Sequence, residues 1–410
     1  MPCLLKERTS ASPGIVTFTH NEALRGVAAS SRRVSAFLED NSSAGNWVFG
    51  VHIQGHLNMT EWPLQPWQSF IMWPDTSAPY LANVPKEMLL GMNCINFMPD
   101  IRPRQSSLDR NVDILVISRA STVKRIYETL LILRGLMGKV PNFRATVVVP
   151  DMRQFELGEE CYDLQGIDRR LFEMPRKLFS SQELRRLSFI STSQQAFGWF
   201  PLSDDLLIDM LHRSKFVLLT SHQEGTPRVL AESLLADVPC IVSEKLESGI
   251  SKHLDETNSV KISDDIASAV TQIQDALQRY DRFSIDRQSI REAFLADRHL
   301  PQLRSILSSH ITALGKPIEG RWFLDDLHLR LAGHGRKFSF QFMNREQVFF
   351  DWFTKNDPLA NGTVGEFDPY EEDSFFDGID DGPLSLPTSR MPSNQKTFMS
   401  FVRRLGVRNG

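Results

Sequence analysis

The sequence predicts an α/β protein with parallel sheets, two domains and a C-terminal extension. Short apolar runs of strand length alternate with segments of helical period, most regularly along residues 111–265. The chain of 410 residues is long enough for two or three domains. Its 41% hydrophobic and 23% charged residues are ordinary for a soluble globular protein.

A short first α/β domain is predicted over residues 1–100. Ile15–Thr19 and Asn46–Ile53 are apolar runs of strand length, separated by a segment of helical period. Phe70–Trp73 and Asn93–Met98 predict two further short strands. Tryptophan–proline pairs interrupt this region, so long elements are not expected there. The domain is therefore abbreviated.

Residues 101–110, rich in proline, serine and charge, predict a linker to a second domain over residues 111–315. Asp113–Ser118 predicts a buried parallel strand, and a helix is predicted from Ile126 to about Lys139. Arg119 and Lys124 lie in the turn between these two elements. Two cations at the carboxyl end of a strand can neutralise a diphosphate. A solvated basic turn is the alternative.

The most informative stretch is residues 216–243. An apolar run, Phe216–Leu219, predicts a buried strand, and a polar turn follows it. Pro227 suits the first position of a helix, and apolar residues recur at helical spacing from Arg228 onward. Val238–Val242 returns to strand. The stretch therefore predicts one βαβ unit.

Two glutamates flank the predicted start of this helix. Glu224 lies in the loop after the strand, where ligands bind in open parallel sheets, and Glu232 lies one to two turns into the helix. The first free amides, around Arg228, Val229 and Leu230, predict an anion site. Carboxylates accept hydrogen bonds from hydroxyls and amides donate to phosphate oxygens, so the pattern favours a ligand that is part sugar and part diphosphate. A solvated glutamate beside a helix-face glutamate is the alternative.

The segment Glu224–Glu232, EGTPRVLAE, resembles the paired-glutamate signature of group 1 glycosyltransferases. These are retaining enzymes of the GT-B fold that use nucleotide sugars, and the resemblance covers mainly residues 111–265. It implies a GT-B-like fold, with two Rossmann-like domains facing a cleft. One departure is Arg125, which follows Lys124 where many relatives have glycine.

The resemblance also implies roles for individual residues. Glu224 and the backbone of Gly225 and Thr226 would hold the sugar, and Glu232 would bind the ribose hydroxyls. The diphosphate would be held by the two cations in the turn after the Asp113–Ser118 strand.

Two further assignments follow from the resemblance. Gly198 would let the backbone approach the nucleotide base, with a strand-end glycine as the alternative. The family usually places a histidine of the first domain beside the sugar, and three candidates lie near predicted strand ends: His20, His52 and His56. A local hydrogen bond in a loop or the core is the alternative for each of them.

The composition of the chain limits which binding partners and which cellular compartment are expected. The net charge of −4 argues against nucleic acid as a partner. Four cysteines without metal-ligand spacing indicate a reducing compartment and no metal site. No apolar run is long enough for a membrane span, so a cytoplasmic location is expected. Peripheral association with the inner face of a membrane is left open.

Residues 316–410 predict an extension that is first aromatic and then acidic. The aromatic part favours packing back on the domains over a membrane-surface or acceptor-binding role. Residues 357–395 are acidic and rich in glycine and proline, and this composition favours a segment that is disordered or loosely docked.

By resemblance, the protein is expected to be a retaining, metal-independent glycosyltransferase of the hexosyltransferase type. The donor would be a UDP- or GDP-linked sugar, the acceptor a glycan or lipid-linked glycan, and no cofactor is implied. The alternative is a catalytically inactive nucleotide-sugar-binding or scaffold protein of the same fold, which the short first domain favours. A glycogen-phosphorylase-like enzyme is disfavoured because no lysine context suits a pyridoxal cofactor. The oligomeric state stays open.

Overall fold

The computed structural model describes residues 2–24, 31–55, 57, 59–102, 110–118, 122–150, 174–192, 203–331, 345–357 and 359. The described residues up to 359 belong to one compact unit. Helices surround two sheets, so the predicted α/β class is confirmed.

The first sheet has five strands in chain order. They are β1 Cys3–Lys6, β2 Gly14–Thr19, β3 Trp47–His52, β4 Gln68–Met72 and β5 Leu89–Leu90, and helices α1 His20–Leu24 and α2 Arg32–Ser43 follow β2. Strand β1 is antiparallel to β2, whereas β2 to β5 are parallel. All residues of β2 and β3 are buried, because both faces of the sheet are covered. Since strand order follows chain order, these parallel strands contain no reversal of the kind that opens a ligand crevice.

Two helices from distant parts of the chain cover this sheet. Helix α11, Arg345–Asn356, lies over an aromatic face, where the Phe353 ring centroid is 5.5 Å from that of Trp47 and 5.1 Å from that of Phe37. This agrees with the expectation that the aromatic stretch packs back on the domains. The opposite face contributes Phe70 to a core that includes Leu307 of helix α9, Ala296–Ala313.

The outer edge of β1 pairs with a short segment from far along the chain. The Glu7 amide donates to the Arg321 carbonyl at 3.0 Å, and the Phe323 amide donates to the Leu5 carbonyl at 2.9 Å. Arg330 donates to the Phe323 carbonyl at 2.7 Å and thereby fixes this edge segment. The segment 321–323 therefore extends the first sheet beyond β1.

The second sheet has six parallel strands in the order β11-β10-β9-β6-β7-β8. The strands are β6 Val112–Ile117, β7 Ala145–Pro150, β8 Leu187–Thr192, β9 Ser214–Leu219, β10 Cys240–Ser243 and β11 Ser259–Ile262. Numbered from β6, this is the order 3-2-1-4-5-6 of the Rossmann fold. The order reverses between β6 and β9, so the ligand crevice of such a sheet lies beyond the carboxyl ends of these two strands.

Helices cover both faces of the second sheet. They are α3 Ile126–Lys139, α4 Ser181–Leu184, α5 Asp204–His212, α6 Arg228–Leu235, α7 Ile266–Gln278, α8 Arg287–Phe294 and α9, with α10 Leu327–Arg330 farther along the chain. Side chains of β6 alternate between two cores: Ile114 packs with α3 and α7, and Leu115 packs with α6. One of these cores also contains Phe70 of the first sheet. The domain boundaries at residues 100, 111 and 315 therefore stay a prediction.

One predicted strand is wrong. Asn93–Met98 contains a 3₁₀ helix, Cys94–Phe97, instead of a strand. The side chains of Asn93 and Asn96 form a capping box, which closes the turn. Asparagine favours such local hydrogen bonds over a sheet ladder.

Candidate functional site

The candidate site lies at the reversal of the second sheet. The loop after β6 leads through a 3₁₀ helix, Thr122–Lys124, into α3, and the loop after β9 carries Glu224. Lys124 Nζ donates hydrogen bonds to both carboxylate oxygens of Glu224. The two side chains are 14% and 9% exposed, so the pair is mostly withdrawn from water. Two of the predicted site residues therefore meet at the predicted crevice.

Neighbouring hydrogen bonds fix the backbone on both sides of this pair. The Thr220 hydroxyl, at the end of β9, lies 3.2 Å from the Lys124 carbonyl oxygen and 2.7 Å from the Thr129 hydroxyl. The Glu224 amide donates to the Glu247 carbonyl at 2.9 Å. The loop that follows β10 thus supports the Glu224 loop from the side.

A charged cluster that sequence analysis missed lies beside the pair. Asp264 Oδ1 lies 2.5 Å from Arg125 Nη1 and 2.6 Å from His222 Nε2, and Asp264 Oδ2 lies 2.6 Å from Lys245 Nζ. Partial burial would raise the pKa of Asp264, but the hydrogen bonds from Lys245, Arg125 and His222 lower it below its usual range. Asp264 belongs to no sequence motif. It lies beside Arg125 because of the order of the strands in the sheet, which the sequence does not reveal.

The start of α6 provides the predicted amides. Pro227 caps the helix without a side-chain hydrogen bond, and the Leu230 amide donates to the Pro227 carbonyl at 3.1 Å. Among the described residues, the amides of Arg228 and Val229 have no acceptor. The Leu230 side chain is fully buried in the core. Two helix amides therefore remain for an anion.

Glu232 is paired within its own helix. Arg228 Nε and Nη2 lie 3.2 and 3.0 Å from Glu232 Oε1. Arg228 Nη1 is buried and finds no hydrogen-bond partner among the residues that the structure describes. Burial and the charge of Arg228 together lower the pKa of His328 in α10 to about 4. The sequence pattern did not predict that Arg228 would occupy one oxygen of Glu232.

Residues that follow strands of the first sheet pack against the Glu224 loop. A Cβ added to Gly225 would lie 2.0 Å from the carbonyl oxygen of Gln54, so the two backbones are in contact. The Thr226 hydroxyl lies 3.3 Å from Cys94 Sγ, and burial raises the pKa of this thiol. The Glu224 loop, which follows a strand of the second sheet, therefore contacts segments that follow strands of the first sheet.

The candidate histidines have different surroundings. His20 Nδ1 accepts from the Gln54 amide at 3.2 Å, and a Cβ added to Gly55 would lie 3.7 Å from the His20 ring. His20 therefore lies near the Gly225 contact. His52 is fully buried and hydrogen-bonds to the Thr17 hydroxyl at 3.1 Å, which agrees with the alternative of a core histidine. Three predicted site residues lie outside the described residues: Arg119, Gly198 and His56.

Two buried hydroxyls at the same sheet edge were also missed. Ser118 Oγ, just after β6, and Ser221 Oγ, just after β9, have no hydrogen-bond partner in the part of the chain that the structure describes. Such groups are rare and mark positions where water or a ligand atom can bind. In the described part of the chain, no three His, Cys, Asp or Glu side chains come together as a metal site. None of the described helices is long and apolar enough to cross a membrane.

Comparisons with known proteins give only distant structural similarities. No protein-family model matches the sequence, and no curated protein matches it. A TarM variant from S. aureus, in complex with fondaparinux, alpha-GlcNAc-glycerol and UDP, is similar at 12% identity over 64% of this chain and 51% of TarM, with a TM-score of 0.47. HepE from Anabaena, in complex with UDP and glucose, is similar at 15% identity over 68% of this chain and 76% of HepE, with a TM-score of 0.49.

The pneumococcal O-GlcNAc transferase GtfA, in complex with UDP and GlcNAc, is similar at 14% identity over 67% of this chain and 54% of GtfA, with a TM-score of 0.45. This chain therefore matches about half the length of TarM and GtfA. With TM-scores below 0.5, these similarities decide neither the fold family nor the activity.

Proposed function

We propose that this protein is a glycosyltransferase of the GT-B type that uses a nucleotide diphosphate sugar. The observation that carries the proposal is the contact of Lys124 with Glu224 at the reversal of a sheet with Rossmann strand order. Both residues lie within residues 111–265, the region over which the chain resembles group 1 glycosyltransferases, and Glu224 begins the paired-glutamate segment. The free amides at the start of α6 lie a few residues farther along the same loop.

Donor binding uses three kinds of group in this proposal. Lys124 and the amides of Arg228 and Val229 bind diphosphate oxygens, because cations and helix amides favour negative charge. Glu224 and the Gly225–Thr226 backbone bind sugar hydroxyls. Glu232 accepts from the ribose hydroxyls through its second oxygen, while Arg228 holds the first.

The proposed transfer proceeds with retention. The bond between the sugar C1 and the β-phosphate oxygen breaks, and a bond forms between C1 and the acceptor oxygen on the same face. The acceptor proton goes to the departing phosphate oxygen, so no protein nucleophile is needed. Lys124 stabilises the charge that develops on this phosphate, and no divalent metal is required. The acceptor is the hydroxyl of a glycan or a lipid-linked glycan, and the enzyme acts in the cytoplasm.

The experiment is a titration with UDP-, GDP- and ADP-sugars combined with product analysis. Glu224→Gln keeps the size of the side chain and should lower transfer about 100-fold or more. Glu244→Gln, an exposed glutamate after β10, is the matched control and should keep wild-type activity. NMR of the product anomer tests retention, and activity in the presence of EDTA tests metal independence.

A second function, nucleotide-sugar binding without transfer, is favoured by one observation. Glu224 is paired with Lys124, and Gly225 lies directly against Gln54, so the groups proposed to hold the sugar already contact other parts of the protein. Binding of a nucleotide sugar without product on any acceptor would support this function. Absence of binding to every nucleotide and nucleotide sugar would contradict both proposals.

A further inference from the structure

Asp264 connects three loops at the carboxyl edge of the second sheet. It follows β11, and its contacts are Arg125 after β6, His222 after β9 and Lys245 after β10. The side chain is 28% exposed, so water only partly screens these contacts. One carboxylate therefore joins loops that are far apart in the sequence.

The backbone conformation of Arg125 indicates that contacts of its side chain fix this residue in place. Arg125 has φ 51° and ψ 42°, the left-handed conformation that favours glycine. An arginine persists there when its surroundings fix it, and Asp264 and Glu128 both contact the guanidinium, at 2.5 and 3.7 Å.

The two loops that meet on Asp264 Oδ1 are those that carry the candidate site. Arg125 directly follows Lys124, and His222 lies two residues before Glu224. Thr220 ties the backbone of the Lys124 turn to the end of β9. Side chains join the same two loops on the side of β11: Arg125 Nη1 contacts His222 Nε2 directly, and Asp264 Oδ1 contacts both.

We propose that Asp264 is a positioning residue that keeps Lys124 and Glu224 aligned toward one ligand by clamping Arg125 to His222. The inference rests on the proposed function. A nucleotide sugar that enters the crevice competes with the Lys124–Glu224 contact. Because Asp264 holds Arg125 and His222 together, Lys124 and Glu224 then stay close enough to bind the same ligand. Within the described residues, the ion pairs of Asp264 go to Arg125, His222 and Lys245, and none of them goes to Lys124 or Glu224.

The first test measures loop order without any ligand. In Asp264→Ala, hydrogen exchange should become faster in both residues 122–129 and residues 220–226. Asp281→Ala, an exposed acid in the 3₁₀ helix Tyr280–Arg282, is the matched control and should leave both segments unchanged. Unchanged exchange in these segments, or an equal increase along the whole chain, would overturn the proposal.

The second test separates positioning from stability. Arg125→Gly removes the guanidinium but suits the left-handed backbone, so the Tm should stay at or above that of the wild type. Affinity for UDP, GDP or ADP, whichever the wild type binds, should nevertheless fall about 10- to 100-fold. Adding Asp264→Ala to Arg125→Gly should weaken binding little further, because both act through one clamp. Additive losses, or unchanged affinity in Arg125→Gly, would contradict the clamp.

If the wild type binds none of the three nucleotides, the proposed function fails. The exchange measurement then decides on the clamp alone, because it requires no ligand.

Discussion

Gly225, in the loop after β9, lies in direct contact with the backbone of Gln54, in the loop after β3. A Cβ added at Gly225 would lie 2.0 Å from the Gln54 carbonyl oxygen and 2.6 Å from the Cα atom of Gly55. Such an approach requires a residue without a side chain. If a sugar binds the Gly225 backbone as proposed, these two loops must separate first.

Gly225→Ala should therefore destabilise the protein. Because the new methyl group overlaps the Gln54 backbone, we expect the free energy of unfolding to fall by about 1–3 kcal/mol in urea denaturation. Gly138→Ala is the control: Gly138 lies in α3, and outside the backbone of its own helix no described atom lies within 4 Å of the added Cβ, so alanine should increase stability by about 0.5–1 kcal/mol. Equal stability of the two variants would contradict the contact.

Removing one partner of the Lys124–Glu224 pair should cost more than removing both. Lys124→Met leaves a carboxylate that is only 9% exposed without its cation, and the expected loss in stability is about 3 kcal/mol. The double variant Lys124→Met/Glu224→Gln should recover most of this loss. Arg213→Met, which breaks an exposed pair with Asp209, should cost less than about 1 kcal/mol. Additive single and double effects in urea denaturation would show that the pair is not coupled.

Stability should decrease with acid because of His328. Its pKa is about 4 in the folded protein and 6.5 in the unfolded chain, so the unfolded chain binds more protons between these values. Neutral His328 makes its full contribution to the free energy of unfolding above pH 6.5, and this contribution is lost as the pH falls toward 4. The total loss is about 3 kcal/mol at most. His328→Gln should flatten this part of the curve of unfolding free energy against pH. Some slope should remain in this variant, because the pKa of His253 is also lowered to about 4. A wild-type slope in His328→Gln would contradict the assignment.

Helix α11 should contribute strongly to the stability of the first sheet. Phe353 is 4% exposed and packs against Trp47, Phe37 and Phe49, so Phe353→Ala should lower the free energy of unfolding by about 3–5 kcal/mol. Leu359→Ala, at a side chain that is 43% exposed, should change it by less than about 0.5 kcal/mol. Similar thermal and urea midpoints for both variants would show that the helix is not docked in solution.

Much of the second sheet could be predicted because its signals are local. The period of apolar residues predicted α3 with both ends at the observed residues, and Pro227 marked the start of α6. Strand β1 was missed because it has only four residues, and one of its two partners, the segment around Trp322, lies more than 300 positions away. Strand β8 was missed because Leu187–Thr192 follows a charged segment that has no clear period.

Some residues of the candidate site could likewise be predicted from local signals, and others could not. Lys124 and Glu224 were predicted together because both follow central strands, whose carboxyl ends share one sheet edge. Asp264 could not be predicted, because its contact with Arg125 depends on the order of the strands and on side-chain conformation. The order of strands in the first sheet likewise depends on long-range packing that no short motif records.

The pairing of residues 321–323 with β1 has a practical consequence for shortened versions of this protein. Versions that end near residue 315 would lose the strand partner and expose a row of backbone donors and acceptors on β1. An unpaired strand edge can pair with a strand of another molecule, so we anticipate that these fragments would precipitate or dimerise through β1.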